Sequence, residues 1–239
     1  MATLVSYTIA FHHATPHGVL TAIHIPDAPE PVPGNVFERL HAKEAEFARN
    51  LRGYRQVQFV GGRLAIRSAL QQLGLKSVPV LPDERGAPIL PTGASGSITH
   101  KGDLALAMVA SDGLGTLGVD LEDYAPPRLS IAERVLVPEE LEALAGLAEE
   151  RRWIALLLRF SIKEAVYKAL DPFVRRYVGF HEAVVRPDLH GWAEVELRLE
   201  KGEGPFEVEA RYEWLFGRIV TSARIREAHL DTQRLAARS

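Results

Sequence analysis

Two acidic residues in the middle of the chain, Asp120 and Glu122, have the type and spacing of ligands for a divalent cation. They flank Leu121 in Gly118-Val119-Asp120-Leu121-Glu122, which has the pattern of a strand. In a strand both carboxylates leave the same face, about 6.6–6.8 Å apart along the chain, and they repel each other unless a cation lies between them. Such oxygen ligands suit Mg²⁺. Because 31 acids in 239 residues give about four acid-x-acid triplets by chance, ordinary surface acids remain an open alternative.

A second charged pair, Glu164 and Lys168, lies near the end of a long helical pattern that begins near residue 151. Residues three and four apart share a helix face, so this pair continues the stripe of Leu157 and Phe160. A glutamate–lysine pair on a solvated face, worth about 0.2–0.5 kcal/mol, is the alternative interpretation. Because the pair continues the apolar stripe and buried charge needs a partner, we expect this face to meet Asp120 and Glu122.

The segment from residue 47 to residue 101 is strongly basic in a chain whose net charge is −3. It carries eight cationic side chains against two acidic ones, Asp83 and Glu84. The cations are Arg49, Arg52, Arg55, Arg63, Arg67, Lys76, Arg85 and Lys101. Guanidinium groups match phosphate oxygens, so this composition indicates a surface for a phosphate-rich ligand. A basic helix face that is neutralised by acids elsewhere explains the pattern equally well.

The segment Ser97-Ile98-Thr99-His100 brings hydroxyl groups and a histidine next to Lys101. It predicts either a phosphate-binding strand end or a histidine whose polar atoms are satisfied in the core. His12, His13 and His17 lack further ligands nearby in the sequence, so they do not predict a zinc site.

The composition excludes several classes of function. The absence of cysteine excludes disulfides, thiolate zinc sites and cysteine nucleophiles, and it suits a cytoplasmic protein. The small net charge gives no bias toward nucleic acid or membrane surfaces. No apolar run approaches the roughly 18–20 residues of a membrane span. The first ten residues lack the basic start of a signal peptide.

The order of elements predicts an α+β protein, because a β-α-β order occurs twice with a changeover near residues 111–115. In the first half we predict strands over 4–11, 18–25, 97–100 and 104–110, and helices over 36–51 and 54–73. In the second half we predict a strand over 116–121, the long charged helix and a β-meander over 193–225. Gly61 and Gly62 inside the second helix indicate either a close backbone approach or a break. We therefore divide the chain into an N-terminal lobe, residues 1–113, with the phosphate-binding residues, and a C-terminal lobe, residues 114–239, with the metal ligands.

Together the motifs resemble the paired signature of the 4′-phosphopantetheinyl transferases. The first part is the segment 118–122, and the second is Phe160-Ser161-Ile162-Lys163-Glu164-Ala165-Val166-Tyr167-Lys168-Ala169, some forty residues later. The segments 62–70, Arg85-Gly86-Ala87-Pro88 and Ser97-Ile98-Thr99-His100 are similar to the siderophore-synthase branch of the larger monomeric type. The resemblance covers roughly residues 54–185.

The resemblance implies an α+β fold of two similar-sized lobes in a pseudo-twofold arrangement, with the ligand cleft between them. It implies transfer of the 4′-phosphopantetheine arm of coenzyme A to a serine of an acyl or peptidyl carrier protein, releasing adenosine 3′,5′-bisphosphate. Such enzymes serve secondary metabolism, for example siderophore or polyketide synthesis. The resemblance further implies a cytoplasmic monomer with no nucleic-acid or membrane partner.

The resemblance also implies roles for individual residues. Asp120, Glu122 and Glu164 would hold Mg²⁺, and the catalytic residues would be Glu164, Lys168 and Asp120. Glu164, or a water on the metal, would help to deprotonate the carrier serine, and Lys168 would stabilise charge on the diphosphate. Coenzyme A would be bound by Arg55, Arg63, Arg85, Thr99, His100 and Lys168. Arg85 stands where a lysine is common, and we expect Lys163, which lies off the stripe, to be structural.

Two alternatives remain open from the residues alone. One is a Mg²⁺-dependent hydrolase of a nucleotide diphosphate, and the other is a non-enzymatic coenzyme A-binding protein.

Overall fold

The N-terminal half of the chain forms a four-stranded antiparallel sheet. The computed structural model describes residues 6–76, 78–111, 113 and 115–228. The strands are β1 (Ile9–Thr15), β2 (Gly18–His24), β3 (Ala94–Lys101) and β4 (Leu104–Ser111), in the order β1-β2-β4-β3. Side chains alternate along β4, so Leu104 and Leu106 point to one face and Ala105 and Ala107 to the other. The sheet is therefore apolar on both faces and must be covered on both.

Three helices accompany this sheet, namely α1 (Gly34–Phe37), α2 (Ala42–Arg49) and α3 (Tyr54–Gln72). The single helix predicted over residues 36–51 is wrong, because a new helix begins at Ala42. A capping box starts it: the ring of His41 accepts from the Lys43 N–H at 3.2 Å, and the Glu44 carboxylate accepts from the His41 N–H at 2.9 Å.

The helix predicted over residues 54–73 is confirmed as α3, and Gly61 and Gly62 do not break it. A Cβ atom at Gly61 would overlap the side chain of Ile25, and one at Gly62 would lie 2.8 Å from Ile98 Cγ2. The glycine pair therefore serves the first of its two predicted purposes, a close approach of α3 to the sheet.

The C-terminal half forms a five-stranded antiparallel sheet with a long helix. Its strands are β5 (Thr116–Asp123), β6 (Ala183–Pro187), β7 (Trp192–Leu197), β8 (Phe206–Leu215) and β9 (Arg218–Glu227), in the order β5-β9-β8-β7-β6. Its helices are α4 (Ala132–Val135), α5 (Pro138–Ala145) and α6 (Glu149–Val174). The predicted meander is confirmed as β7 to β9. Of the described helices, none is long and apolar enough to cross a membrane.

The two sheets pack against each other, and each outer face is covered by a long helix. Leu20, Leu106 and Met108 of the first sheet share one core with Val119 and Leu121 of the second. A separate core lies between the first sheet and α3, and another lies between the second sheet and α6. The predicted α+β class with two lobes is confirmed. We predicted that the two lobes divide between residues 113 and 114. Residues 112 and 114 lie outside the described residues, so this boundary stays a prediction.

Candidate functional site

The site is built where strand β5 lies directly against helix α6. Alternate residues of β5 point to opposite faces, so Leu121 enters the core between the sheets while Asp120 and Glu122 face α6. A Cβ atom at Gly118 would overlap the carbonyl oxygen of Ala165 in α6. Glycine at this position therefore allows the contact that brings the acids of the strand to the helix.

Asp120 is buried, with 6% of its surface exposed, and it connects three elements. Its Oδ2 accepts a hydrogen bond from Ser161 Oγ of α6 at 2.9 Å. Its Oδ1 lies 2.8 Å from Lys168 Nζ, also on α6, and 3.3 Å from Thr99 Oγ1 of β3. A buried carboxylate held by several donors is fixed in orientation.

Lys168 forms an ion pair with Asp120. The alternative interpretation, in which Lys168 pairs with Glu164 on a solvated helix face, is therefore wrong. Its ammonium also donates to the carbonyl oxygen of Val119 at 2.9 Å and to Thr99 Oγ1 at 3.4 Å. The side chain remains 31% exposed, which leaves the ammonium accessible to a ligand as well as to Asp120.

Glu122 and Glu164 both lie close enough to Asp120 to be affected by its negative charge. Glu122 is buried and pairs with Lys101 Nζ at 2.5 Å. Burial raises the pKa of Glu164 above its usual value, and the negative charge of Asp120 raises it further. Burial likewise raises the pKa of Glu122. The sequence thus predicted correctly that the helix face with Glu164 meets the acids of the strand.

These acids have the chemistry of a magnesium site, although no described group of three or more His, Asp or Glu side chains is already arranged to hold a metal ion. Carboxylate oxygens are hard ligands of the kind Mg²⁺ prefers. The negative charges of Asp120 and Glu122 both raise the pKa of Glu164, so a cation among them would relieve that repulsion. The assignment of the three acids as metal ligands stays a prediction.

A cavity of about 930 Å³ opens between the lobes beside these acids. It is lined by α3, β3 and the turn at residues 82–90 on one side, and by α6 and the segment after it on the other. Predicted site residues on its wall are Arg55, Arg63, Arg85, His100, Glu164 and Lys168. The remaining three, Thr99, Asp120 and Glu122, are buried residues that are not part of this wall. Thr99 and Asp120 reach the wall through their contacts with Lys168.

Two arginines of the N-terminal lobe are held in place at this cavity. Arg63 is buried, its Nε donates to the Val80 carbonyl oxygen at 2.5 Å, and its guanidinium lies 4.2 Å from the centre of the Phe59 ring. Burial lowers the pKa of Arg63 to about 10, which still leaves it charged at neutral pH. Arg85 reaches across the cavity to Asp171 of α6, with 2.7 Å between Nε and Oδ1.

His100 lines the cavity next to these cations. One side of His100 is exposed, and the pKa of its ring is lowered because the protein around it partly excludes water and because Lys168 is positively charged. The ring of His100 is therefore neutral at physiological pH, and a neutral imidazole can donate one hydrogen bond to a ligand.

Two family models match the chain in consecutive segments. The model described as the 4′-phosphopantetheinyl transferase N-terminal domain matches residues 43–110, and the 4′-phosphopantetheinyl transferase superfamily model matches residues 116–222. The 4′-phosphopantetheinyl transferase Npt of Nocardia iowensis is 34% identical over 173 residues, which cover 72% of each chain. This chain belongs to the 4′-phosphopantetheinyl transferase family. The family predicted from the motifs is confirmed.

Other relatives of this family match shorter parts. The transferase Svp of Streptomyces mobaraensis is 39% identical over 135 residues, which are 55% of this chain and 54% of the relative, so the match spans about half of that protein. Enterobactin synthase component D of Escherichia coli O157:H7 is 37% identical over 121 residues, 49% of this chain and 55% of the relative. A crystal structure of a Bacillus anthracis holo-(acyl-carrier-protein) synthase in complex with CoA (3′,5′-ADP) covers 48% of this chain and 97% of its own, with 21% identity and a TM-score of 0.40.

Lys163, which belongs to the family motif, has the structural role expected for it. Its side chain is fully buried, and its ammonium lies 2.6 Å from Glu140 Oε2. It also donates to the carbonyl oxygens of Val135 and Phe180, each at 2.9 Å. Lys163 therefore anchors the segments before and after α6 to the helix.

The motif also contains Ser161, for which the sequence predicted no role. Ser161 and Thr221 of β9 are both fully buried. Thr221 Oγ1 lies 2.9 Å from Ser161 Oγ and donates to the Ser161 carbonyl oxygen at 2.8 Å. The available signal was spacing, because Ser161 lies three residues before Glu164 on the same helix stripe. Asp171, the partner of Arg85, was missed as well, although it lies three residues after Lys168.

Proposed function

We propose that this protein transfers the 4′-phosphopantetheine arm of coenzyme A to a serine of an acyl or peptidyl carrier protein and releases adenosine 3′,5′-bisphosphate. Family membership supports the reaction class. The observation that carries the proposal is that Glu164 and Lys168, the latter paired with the buried Asp120, lie on the wall of a cavity whose opposite side carries arginines. The basic side of the cavity suits a diphosphate, and the acidic side suits an attacking hydroxyl group that must lose its proton.

Coenzyme A carries a diphosphate and a 3′-phosphate, which the basic wall would bind. Arg55, Arg63 and Arg85 supply guanidinium groups, and His100 supplies a neutral donor. The hydroxyl of Thr99 lies beside Lys168 and extends the same set of donors. Arginines already held by the protein lose little freedom when they bind a phosphate.

The reaction is also proposed to require Mg²⁺, held by Asp120, Glu122 and Glu164. When bound, the ion would neutralise negative charge on the diphosphate. Lys168, which pairs with Asp120 and lines the cavity, would contact the diphosphate beside these acids.

Glu164 is proposed to accept the proton of the carrier serine. Its carboxylate is partly buried on the cavity wall, where an acceptor hydroxyl group would enter. As the serine oxygen forms its bond to the β-phosphorus, the bond to the leaving adenosine 3′,5′-bisphosphate breaks. Lys168 stabilises the negative charge that the leaving phosphate gains. No covalent enzyme intermediate is needed, because positioning and charge stabilisation account for phosphoryl transfer of this kind.

The decisive experiment is intact-mass analysis of a panel of apo-carrier proteins incubated with this protein, coenzyme A and Mg²⁺. The proposal predicts that one or more carriers gain the mass of one phosphopantetheine arm. It also predicts that a carrier with its acceptor serine changed to alanine gains nothing. Breakdown of coenzyme A without a carrier would indicate a hydrolase instead. Binding of coenzyme A with no change in any carrier would indicate a non-enzymatic binding protein.

We further propose that the protein works as a cytoplasmic monomer, without nucleic acid or a membrane. The absence of cysteine and the small net charge support this. Size-exclusion chromatography with light scattering tests the monomer, and a stable dimer would contradict it.

A further inference from the structure

A turn of the N-terminal lobe that closes one side of the cavity is fixed by its own hydrogen bonds. Asp83 Oδ1 accepts from the backbone N–H groups of Arg85 and Ala87, each at 2.9 Å. The Asp83 N–H donates to the Ala87 carbonyl oxygen at 2.8 Å, and Pro82 pairs with Pro88 at the base of the turn. The backbone from which the Arg85 side chain projects is therefore held by the turn itself.

The side chain of Arg85 crosses to the other lobe and contacts Asp171 of α6. Its Nε and Nη2 lie 2.7 and 2.5 Å from one oxygen of Asp171, Oδ1. Nε–H and one Nη2–H form one edge of the planar guanidinium group, while Nη1 and the second Nη2–H form another. Asp171 thus fixes the plane of the Arg85 guanidinium group through one edge. The other edge keeps two N–H donors for a second acceptor.

Asp171 lies on the same face of α6 as Glu164 and Lys168, and all three line the cavity together with Arg85. An unpaired carboxylate facing a site for phosphate would repel the ligand, because like charges repel each other. At a distance of 2.5 Å from Arg85, however, its charge is compensated. The pair presents an oriented donor edge to the cavity instead of an uncompensated acid.

We propose that Asp171 is a positioning residue for coenzyme A: it holds the guanidinium of Arg85 so that the free edge receives a phosphate oxygen. The inference rests on the proposed function, since it takes coenzyme A as the ligand. Fixing a long side chain before binding removes part of the entropy cost of ordering it, so Asp171 strengthens binding without touching the ligand.

A double-mutant cycle on the full chain tests this role. Coenzyme A binding is measured by calorimetry for the wild type, Asp171→Asn, Arg85→Ala and the double variant. We expect Asp171→Asn to weaken binding about three- to tenfold and to add nothing in the Arg85→Ala background. In steady-state transfer the loss appears in KM for coenzyme A, with kcat within about twofold of the wild type. Glu84→Gln is the matched control, because it removes one negative charge from an exposed position of the same turn, and it leaves binding unchanged.

Two results would overturn the proposal. One is tighter binding by Asp171→Asn, since the carboxylate would then act only by repulsion. The other is an equal loss from Asp171→Asn with and without Arg85, since the effect would then not pass through Arg85. A wild type that binds coenzyme A but modifies no carrier overturns the proposed function and leaves the cycle interpretable. A wild type that does not bind coenzyme A overturns both.

Discussion

Ser161 donates its hydroxyl hydrogen to Asp120 Oδ2 at 2.9 Å, and both side chains are buried between β5 and α6. This bond decides which oxygen of the carboxylate faces the cavity side, because it leaves Oδ1 to Lys168 and Thr99. A helix residue thereby sets the orientation of a strand residue 41 positions away.

Asp120→Ala is expected to reduce carrier modification by at least about a hundredfold, because it removes a proposed cation ligand and the partner of Lys168. Coenzyme A binding is expected to change much less, because the arginines of the N-terminal lobe remain. Initial rates from intact-mass analysis and calorimetry with coenzyme A measure the two effects. Near-normal turnover in this variant would refute the metal assignment.

Ser161→Ala is expected to lower kcat about tenfold and to cost roughly 1–3 kcal/mol of unfolding free energy, because one oxygen of the buried Asp120 carboxylate loses its donor. Urea unfolding and steady-state transfer measure the two quantities. Ser222→Ala is the control, since Ser222 is also a buried hydroxyl, lies 2.9 Å from His17 Nδ1 and is not on the cavity wall. An equal fall in kcat for both variants would argue against a specific role for Ser161.

Gly118→Ala is expected to destabilise the protein by about 1–3 kcal/mol and to reduce transfer, because the added Cβ would overlap the Ala165 carbonyl oxygen and push α6 from β5. Gly34→Ala is the matched control, because its Cβ would meet no atom within 4 Å. Thermal unfolding and transfer assays of the two variants check the prediction. Wild-type stability in Gly118→Ala would contradict the close packing of strand and helix.

His17 is expected to make stability depend on pH in the acid range. Its ring is fully buried with Nδ1 2.9 Å from Ser222 Oγ, and burial together with Arg224 and Arg211 lowers its pKa to about 4. Between that value and the ordinary value near 6.5, the unfolded chain binds more protons than the native one. Stability from this group is therefore present above pH 6.5 and falls as the pH drops toward 4, by roughly 3 kcal/mol.

Unfolding free energies of wild type and His17→Gln, measured from pH 4 to pH 7, check this dependence. The difference between the two proteins is expected to shrink or reverse as the pH falls. Gln71→Asn, an exposed substitution that removes no titratable group, is the control and keeps the wild-type profile. Parallel profiles for wild type and His17→Gln would show that the buried ring does not titrate as expected.

Local periodicity predicted much of the site. Alternation along a strand places Asp120 and Glu122 on one face, and the helical repeat places Glu164 and Lys168 on one stripe. Both statements depend only on backbone geometry, and the structure agrees with both. The motifs around them also predicted the family. The helix over residues 36–51 failed because the capping box at His41 was overlooked.

Local patterns in the sequence were therefore enough to predict the fold class, the family and the faces on which the charged residues lie, because these depend on spacings within short segments. Which charged groups meet depends on the tertiary packing. Lys168 pairs with Asp120, and Arg85 pairs with Asp171, across 48 and 86 positions of the chain. The physical reason is that partners so far apart are chosen by the packing of sheets and helices, which no local spacing records.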